Sequence, residues 1–192
     1  MPMKRCDGRT RFVAGWFVAF LFLAASTPAW PKTGLLVIAH GARSKHWNEP
    51  VIELGRRVER LALESGEFSA VRTAMLELTQ PDIPTAVEEL QRAGCERIVA
   101  VPLFIAPSGH TLFDVPAVLG IFFSPELKAA LNREGLTTAR PSVPVVLTET
   151  LGEELLAEFV LSEVRRLSKQ PEDEALVLLA HGSHDHGPLV ER

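Results

Sequence analysis

From residue 34 onward, short apolar runs alternate with longer stretches in which apolar and polar residues are mixed. The runs are rich in Val, Ile and Leu, which is typical of strands buried on both faces of a parallel sheet. Turn-forming and helix-starting residues separate the runs, so each run has defined limits. The pattern predicts five strands, at residues 34–39, 69–78, 98–104, 143–147 and 175–180.

Helix signals fill the segments between these strands. Asn48 is a candidate cap for a helix that stops at Gly66, and Thr148 is a candidate cap for a long helix at 149–169. Asp or Ser close to a Pro opens further helices at about residues 82, 114 and 124. Strands that alternate with helices predict the α/β class, with a doubly wound parallel sheet joined by right-handed crossovers.

The first 29 residues have the composition of an export signal. Four basic residues precede an apolar run at 12–25, and the small residues Ser26 to Ala29 follow it. This order predicts a signal peptide at residues 1–29, cleaved after Ala29, and therefore an exported, periplasmic protein. The alternative is an uncleaved anchor as the one contact with a membrane, although the run is short for a spanning helix.

Charge and cysteine content change once the signal is removed. The chain has 20 Lys and Arg against 24 Asp and Glu, and loss of four basic residues and Asp7 leaves 16 against 23, a net charge of −7. An acidic balance argues against a nucleic-acid partner or an anionic membrane surface. Cys95 would be the one remaining cysteine, so no intrachain disulfide is expected and its side chain is predicted to be a small buried hydrophobe.

Reactive side chains follow the predicted strands. His40 follows the first strand, Glu77 ends the second, His110 lies in the loop after the third, Glu149 follows the fourth and His181 follows the fifth. The carboxyl ends of parallel strands share one edge of a sheet, so these residues can meet there. Two imidazoles and a carboxylate suit Co²⁺, Ni²⁺, Fe²⁺ or Zn²⁺. We therefore predict a metal site of His40, Glu77 and His110, the alternative being loop histidines that are merely exposed.

Other kinds of site receive less support. Ser108 lacks the G-x-S-x-G setting of a nucleophile, no G-x-x-x-x-G-K-[ST] phosphate loop is present, and no Arg precedes His40 as in a histidine phosphatase. The histidine-rich segment at 181–186 either binds metal or is a solvated tail. Trp47 either stacks on a flat ligand or packs as the staple of the following helix.

Several short motifs resemble those of the CbiX/SirB-type class II tetrapyrrole chelatases over residues 34–119. They are His-Gly-Ala-Arg at 40–43, Met-Leu-Glu-Leu at 75–78, Val-Pro-Leu-Phe at 101–104, Ser-Gly-His at 108–110 and Asp-Val-Pro at 114–116. The resemblance implies a chelatase-like, flavodoxin-like three-layer α/β/α fold. It also implies insertion of a divalent metal into sirohydrochlorin without an organic cofactor, the metal being a substrate, with Co²⁺ favoured and Ni²⁺ or Fe²⁺ as alternatives.

The resemblance carries catalytic and metal-binding roles onto His40, Glu77 and His110. Neutral imidazoles can hold a metal and then accept pyrrole protons, and a carboxylate offsets metal charge or relays a proton. Arg43 is expected to pair with carboxylates of the macrocycle, and Ser108 and Gly109 to form a loop that approaches its face. Ala42 replaces the more common Ser, and an export signal is unusual for this family. The alternative function is a non-catalytic periplasmic binder of metal or tetrapyrrole on the same fold.

An internal repeat concerns the domain organisation. The octapeptide Leu-Leu-Val-Ile-Ala-His-Gly-Ala at 35–42 recurs as Leu-Val-Leu-Leu-Ala-His-Gly-Ser at 176–183. We therefore predict a chelatase-like domain at 34–170 and the start of a second, incomplete repeat at 175–192. Long members of the resembled family have two such halves and short members pair as homodimers, so the expectation is a truncated sequence or a second chain that supplies the missing half.

Overall fold

Within the part of the chain that the structure describes, there are four short strands and five helices. In the computed structural model, residues 31–179 are described, so the predicted signal peptide and the histidine-rich segment at 181–186 lie outside the described residues. The strands are β1 Thr33–Ala39, β2 Ala70–Met75, β3 Arg97–Pro102 and β4 Val145–Leu147. The helices are α1 Lys45–Ser65, α2 Ile83–Arg92, α3 Val115–Val118, α4 Pro125–Glu134 and α5 Glu153–Leu167, with a π-helical turn at His110–Asp114 and a 3₁₀ turn at Pro171–Asp173.

The strands form one parallel sheet in the order β2-β1-β3-β4. All seven residues of β1 are buried, because β1 has a hydrogen-bonded neighbour on each side. Side chains alternate across a strand, so β1 contributes to two apolar layers. The predicted doubly wound parallel α/β sheet is thereby confirmed.

The two faces of the sheet bury different helices. On one face, Leu36 and Ile38 join a core that includes residues of α2, α3 and α4. On the other face, Leu35 and Val37 pack with Val58 of α1. Each fully buried aliphatic side chain stabilises the fold by about 1.5–3 kcal/mol. The core therefore holds β1, and with it the carboxyl end of this strand, between two well-packed layers of helices.

The start of α1 differs from the prediction. The helix begins at Lys45, with Ser44 in the capping position, and not after Asn48. Asn48 is only 6% exposed, and its Nδ2 donates a hydrogen bond to the carbonyl oxygen of Ala42 at 2.7 Å. Asn48 is therefore not a cap, because its side chain is used to fasten the loop after β1 to the first turns of α1.

The predicted start of α5 was also wrong. The helix begins at Glu153, after Gly152 with a φ of 86°, and not at Glu149. Thr148 does not cap it, because its hydroxyl donates to the carbonyl oxygen of Glu149 at 3.1 Å. Among the described residues, no helix is both long enough and apolar enough to span a membrane.

The predicted fifth strand is wrong over the part that the structure describes. Residues 174–179 have no strand conformation, and the side chains of 176–179 are exposed, Leu179 by 93%. A strand needs a hydrogen-bonded neighbour as well as apolar residues, and an apolar run supplies only the second. Residue 180 and the rest of the predicted second repeat lie outside the described residues, so the repeat itself stays a prediction.

Candidate metal centre

The loops that follow β1, β2 and β3 bring three predicted site residues together at the carboxyl edge of the sheet. The Nε2 atoms of His40 and His110 lie 3.2 Å apart, although the residues are 70 positions apart in sequence. The Nδ1 atom of His40 lies 3.5 Å from Oε1 of Glu77. The two imidazole rings meet edge to face, with centroids 4.7 Å apart. The convergence predicted from strand ends is therefore present for His40, Glu77 and His110.

Gly41 makes the approach of the first two loops possible. Its φ of 88° lies in the left-handed region, and a Cβ at this position would collide with the carbonyl oxygen of Glu77. The close approach allows the amide of Glu77 to donate to the carbonyl oxygen of His40 at 3.0 Å. The backbones of β1 and β2 thus stay paired beyond their last strand residues, which places Glu77 beside the His40 ring.

His110 is presented by the π-helical turn at His110–Asp114. The amide of Val115 closes this turn on the carbonyl oxygen of His110, and single π-helical turns are frequent at functional sites. Within the turn, Nδ1 of His110 lies 2.7 Å from Oδ2 of Asp114. The Phe104 ring lies beside both imidazoles, with centroids 6.2 Å from His40 and 6.5 Å from His110. The histidines therefore have an apolar wall on one side and a carboxylate behind His110.

The hydrogen-bond partners define which nitrogen of each ring carries the proton. Nδ1 of His40 lies 2.9 Å from the carbonyl oxygen of Gly41, and Nδ1 of His110 faces the Asp114 carboxylate. Both partners are acceptors, so both Nδ1 atoms donate. In neutral rings, each Nε2 then keeps a lone pair. Two lone-pair nitrogens 3.2 Å apart repel unless a proton or a metal ion lies between them.

The separation of the two Nε2 atoms suits a shared metal ion. Metal–imidazole bonds are about 2.0–2.1 Å long, so two ligand nitrogens lie about 2.8–3.0 Å apart at adjacent octahedral positions and about 3.3–3.4 Å apart at tetrahedral positions. The observed 3.2 Å lies between these two values. Glu77 does not complete a ready-made set of three ligands, because it lies at Nδ1 of His40 rather than facing the two Nε2 atoms. Within residues 31–179, no group of three His, Cys, Asp or Glu residues is arranged to hold a metal ion.

The surroundings of the pair are acidic. The hydrogen bond to Asp114 raises the pKa of His110, burial opposes this effect, and the charges of Asp114, Glu77 and Glu134 add to it. Burial raises the pKa of Glu134, and the negative charges of Asp114 and Glu77 raise it further. The site thus favours a positive charge close to His110.

Two acidic residues of this site were missed as functional groups. Asp114 was read only as a helix start, although the spacing of four residues from His110 was a visible signal. Glu134 ends α4 and reaches the site through the packing of α4 on the sheet, for which the sequence carries no signal.

A cavity adjoins the pair of histidines, His40 and His110, on the side of Glu77. It has a volume of about 240 Å³ and lies between the loop after β2 and the end of α4, with Glu77, Gln80, Glu134 and Thr137 in its lining. Clefts that enclose drug-sized ligands have about 300–1,000 Å³. The cavity is therefore too small to enclose a macrocycle, which would have to lie across the open face of the site.

The remaining predicted residues take other positions. Arg43 is exposed, and Trp47 is 65% exposed, which leaves its ring free of the core. The amide of Ser108 donates to the Thr111 hydroxyl, and Gly109 is buried, so this loop is used to start the π-helical turn. Glu149 is exposed and no described contact joins it to the two histidines. His181 lies outside the described residues.

The sequence relatives are chelatases, which is the class of protein that the motifs resemble. The chain is 30% identical over 88 residues to the sirohydrochlorin cobaltochelatase of Methanococcus maripaludis, covering 46% of this chain and 58% of that protein. It is 29% identical over 130 residues to the sirohydrochlorin cobaltochelatase of Methanococcoides burtonii, covering 67% of this chain and 92% of that protein. The chain thus spans less than two thirds of the Methanococcus maripaludis relative.

Solved structures agree at the level of the fold. The sirohydrochlorin chelatase SirB from Bacillus subtilis subspecies spizizenii, in complex with cobalt, matches with a TM-score of 0.52 and 19% identity, covering 73% of this chain and 56% of that chain. SirB from Bacillus subtilis with Fe³⁺ matches with a TM-score of 0.53 and 19% identity, covering 72% and 48%. The sequence profile of the CbiX family matches residues 34–167, which is more than half of the chain. Together with the chelatase motifs at the strand ends, this match establishes that the chain belongs to the CbiX family.

Proposed function

We propose that this protein is a chelatase that inserts a divalent metal into sirohydrochlorin. The observation that carries the proposal is the pair of Nε2 atoms 3.2 Å apart, each left with a lone pair by the acceptor at its own Nδ1. The names of the relatives from Methanococcus maripaludis and Methanococcoides burtonii supply the macrocycle. The proposed reaction uses the metal as a substrate and needs no organic cofactor.

Insertion exchanges one divalent metal for two pyrrole protons. His40 and His110 hold the metal at the open edge of the sheet, and a macrocycle lying across this edge takes the metal into its four nitrogens. Each Nε2 that loses the metal regains a free lone pair, so each ring can accept one of the two protons. The Asp114 carboxylate stabilises the resulting imidazolium of His110, and Glu77, 3.5 Å from His40, stabilises that of His40. Charge is therefore balanced when the metal leaves.

Residues at the rim are proposed to orient the macrocycle. Arg43 lies two residues beyond Gly41 and is exposed, so its guanidinium is available for a carboxylate of the substrate. The exposed ring of Trp47 and the Phe104 ring beside the histidines offer flat apolar surface to the macrocycle face. Ser108 and Gly109 act indirectly, by starting the turn that carries His110.

Cobalt is our favoured metal, with Ni²⁺ or Fe²⁺ as the alternatives. Imidazole nitrogen with a nearby carboxylate suits all three ions, so the ligand set does not choose between them. The support for Co²⁺ is the name of the sirohydrochlorin cobaltochelatase relatives.

We further propose that the protein is exported and acts in the periplasm. The support is the order of charged, apolar and small residues over residues 1–29. Fusion of residues 1–33 to a reporter enzyme should carry the reporter across the inner membrane, and the same fusion with the four basic residues replaced should not. A reporter that stays in the cytosol in both cases would contradict export.

A homodimer is the assembly that we propose. The long helix α5 exposes Leu155, Phe159 and Leu161, and β4 exposes Val146, so this end of the chain leaves apolar side chains uncovered. A second copy would cover them. Sedimentation of the chain from residue 30 to residue 192 should give a dimer, and a fully active monomer would contradict the proposal.

The function is tested by the absorption spectrum of sirohydrochlorin mixed with the chain from residue 30 to residue 192 and Co²⁺, Ni²⁺ or Fe²⁺. We expect many turnovers of metallated product for each protein molecule, faster than the uncatalysed reaction. The alternative, a periplasmic binder, is favoured by the export signal, and predicts that the spectral change stops at one equivalent of protein.

A further inference from the structure

Asp114 lies where it can control the metal-binding nitrogen of His110 without touching the metal. Its Oδ2 is 2.7 Å from Nδ1 of His110, which is the ring nitrogen turned away from His40. The carboxylate is less exposed than the imidazole, with side-chain exposures of 17% and 38%. The Asp114 side chain is therefore a partner of the ring and not a second ligand facing His40.

The position of Asp114 is held by the core. Asp114 ends the π-helical turn, and the helix that follows it at once contains the buried residues Val115, Ala117 and Val118. His110 begins the same turn, and Ile105, Ala106 and Pro107 in the loop before it are exposed. The hydrogen bond therefore ties the first residue of the turn to its last residue, which lies next to a packed helix.

The two histidines differ in how they can be perturbed. His40 is held at Nδ1 by a main-chain carbonyl, which no side-chain substitution removes. His110 is held at Nδ1 by the Asp114 side chain, the one hydrogen-bond partner of that nitrogen within residues 31–179. A substitution at Asp114 therefore removes the acceptor at Nδ1 of His110 directly, whereas the acceptor at Nδ1 of His40 belongs to the main chain.

We propose that Asp114 is the positioning residue of the site, which keeps the proton of His110 on Nδ1 so that Nε2 presents a lone pair to the metal. Carboxylates that accept the second N–H of a ligating histidine fix its tautomer and its ring orientation. The inference rests on the proposed function only for the identity of the cation as the metal to be inserted.

Loss of negative charge alone would be a different explanation, and Glu134 separates the two. The charges of Asp114 and Glu134 both act on His110, but of these two carboxylates only Asp114 hydrogen-bonds to the ring. Asp114→Asn and Glu134→Gln each remove one carboxylate charge near His110. Only the first replaces the acceptor by an amide whose N–H can donate to Nδ1 and thereby favour the proton on Nε2.

The tautomer is measured directly by long-range ¹H–¹⁵N correlation spectra of the imidazoles in the metal-free full chain, at an alkaline pH where the rings are neutral. We expect His110 to show a protonated Nδ1 and a bare Nε2 in the unmodified protein and in Glu134→Gln. In Asp114→Asn we expect signal from the Nε2–H form. A bare Nδ1 in the unmodified protein would overturn the proposal whether or not Asp114→Asn folds.

Titration with Co²⁺ alone gives the second readout. Asp114→Asn should weaken Co²⁺ binding by about 10–100-fold, the usual effect of removing such a partner. Asp114→Glu should recover part of the loss, and Glu134→Gln should lose less than Asp114→Asn. Equal losses in Asp114→Asn and Glu134→Gln would overturn the proposal in favour of charge alone.

Failure of the role proposed for Asp114 can be distinguished from failure of the proposed function. If the unmodified protein binds Co²⁺ but never metallates sirohydrochlorin, the chelatase proposal fails, while the tautomer and affinity results still decide the role of Asp114. If metallation proceeds and Asp114→Asn keeps both the tautomer and the affinity of the unmodified protein, only the role of Asp114 is contradicted.

Discussion

The two histidine loops reach the same point of the structure by different means. At the first loop, main-chain carbonyl oxygens are the acceptors, since Gly41 accepts from Nδ1 of His40 and Ala42 accepts from the Asn48 side chain. At the second loop, the acceptor at Nδ1 of His110 is a side chain, the Asp114 carboxylate. The first imidazole is therefore oriented by the main chain, whereas the second is oriented by a carboxylate that a substitution can remove.

The largest expected effect comes from removing either ring. His40→Ala and His110→Ala should each abolish accelerated metal insertion, because the remaining imidazole cannot hold the metal alone. Both side chains are partly exposed, so the folded state should persist, as checked by circular dichroism. Phe104→Leu, which changes the wall and leaves both ligands, should retain measurable insertion. A single alanine variant with the unmodified rate would contradict the site.

The loop that positions His40 can be disrupted by a substitution at Gly41. Gly41→Ala should destabilise the protein more than Gly66→Ala, because both residues have positive φ but only Gly41 lies against the Glu77 carbonyl. Gly66 has nothing within 4 Å of an added Cβ, so its alanine variant isolates the backbone strain, about 1–2 kcal/mol. Unfolding in urea measures both, and equal costs would contradict the close approach of the two loops.

The hydrogen bond between Asp114 and His110 should make the affinity for Co²⁺ depend on pH. The hydrogen bond to Asp114 raises the pKa of His110, so protons compete with metal to a higher pH than for a free imidazole. Co²⁺ affinity should rise with pH through that raised pKa, and Asp114→Asn should move the rise to lower pH. Isothermal titration across pH 5.5–8.5 measures the shift. An unmoved midpoint in Asp114→Asn would contradict this assignment.

The same raised pKa has a smaller consequence for stability. Protonated His110 stabilises the folded, metal-free state fully below the ordinary imidazole pKa of about 6.5, and this contribution is lost as pH rises through the raised folded-state value. Urea unfolding of the unmodified chain should therefore show this loss of stability with rising pH, and Asp114→Asn should show less of it. Identical pH profiles would argue against the ion pair.

The sequence was informative where local pattern decides the structure. Apolar runs predicted the first four strands, and the rule that parallel strands share a carboxyl edge predicted the meeting of His40, Glu77 and His110. The predicted beginnings of α1 and α5 were wrong because the hydrogen bond of Asn48 to Ala42 and the turn at Gly152 override local capping signals. The partnership of His110 with Asp114 was missed although their spacing of four residues is visible, because the π-helical turn that joins the two side chains has no recognisable sequence pattern.

X-ray absorption at the cobalt edge of the Co²⁺-loaded full chain tests whether one metal ion binds the Nε2 atoms of both His40 and His110. The histidines at 46, 181, 184 and 186 add ligands of their own at high metal, so Co²⁺ is kept below one equivalent and each spectrum is compared with those of the single variants. Shared binding predicts two imidazole ligands in the unmodified protein, and one fewer in each of His40→Ala and His110→Ala. Spectra that are the same in the unmodified protein and both variants would contradict it.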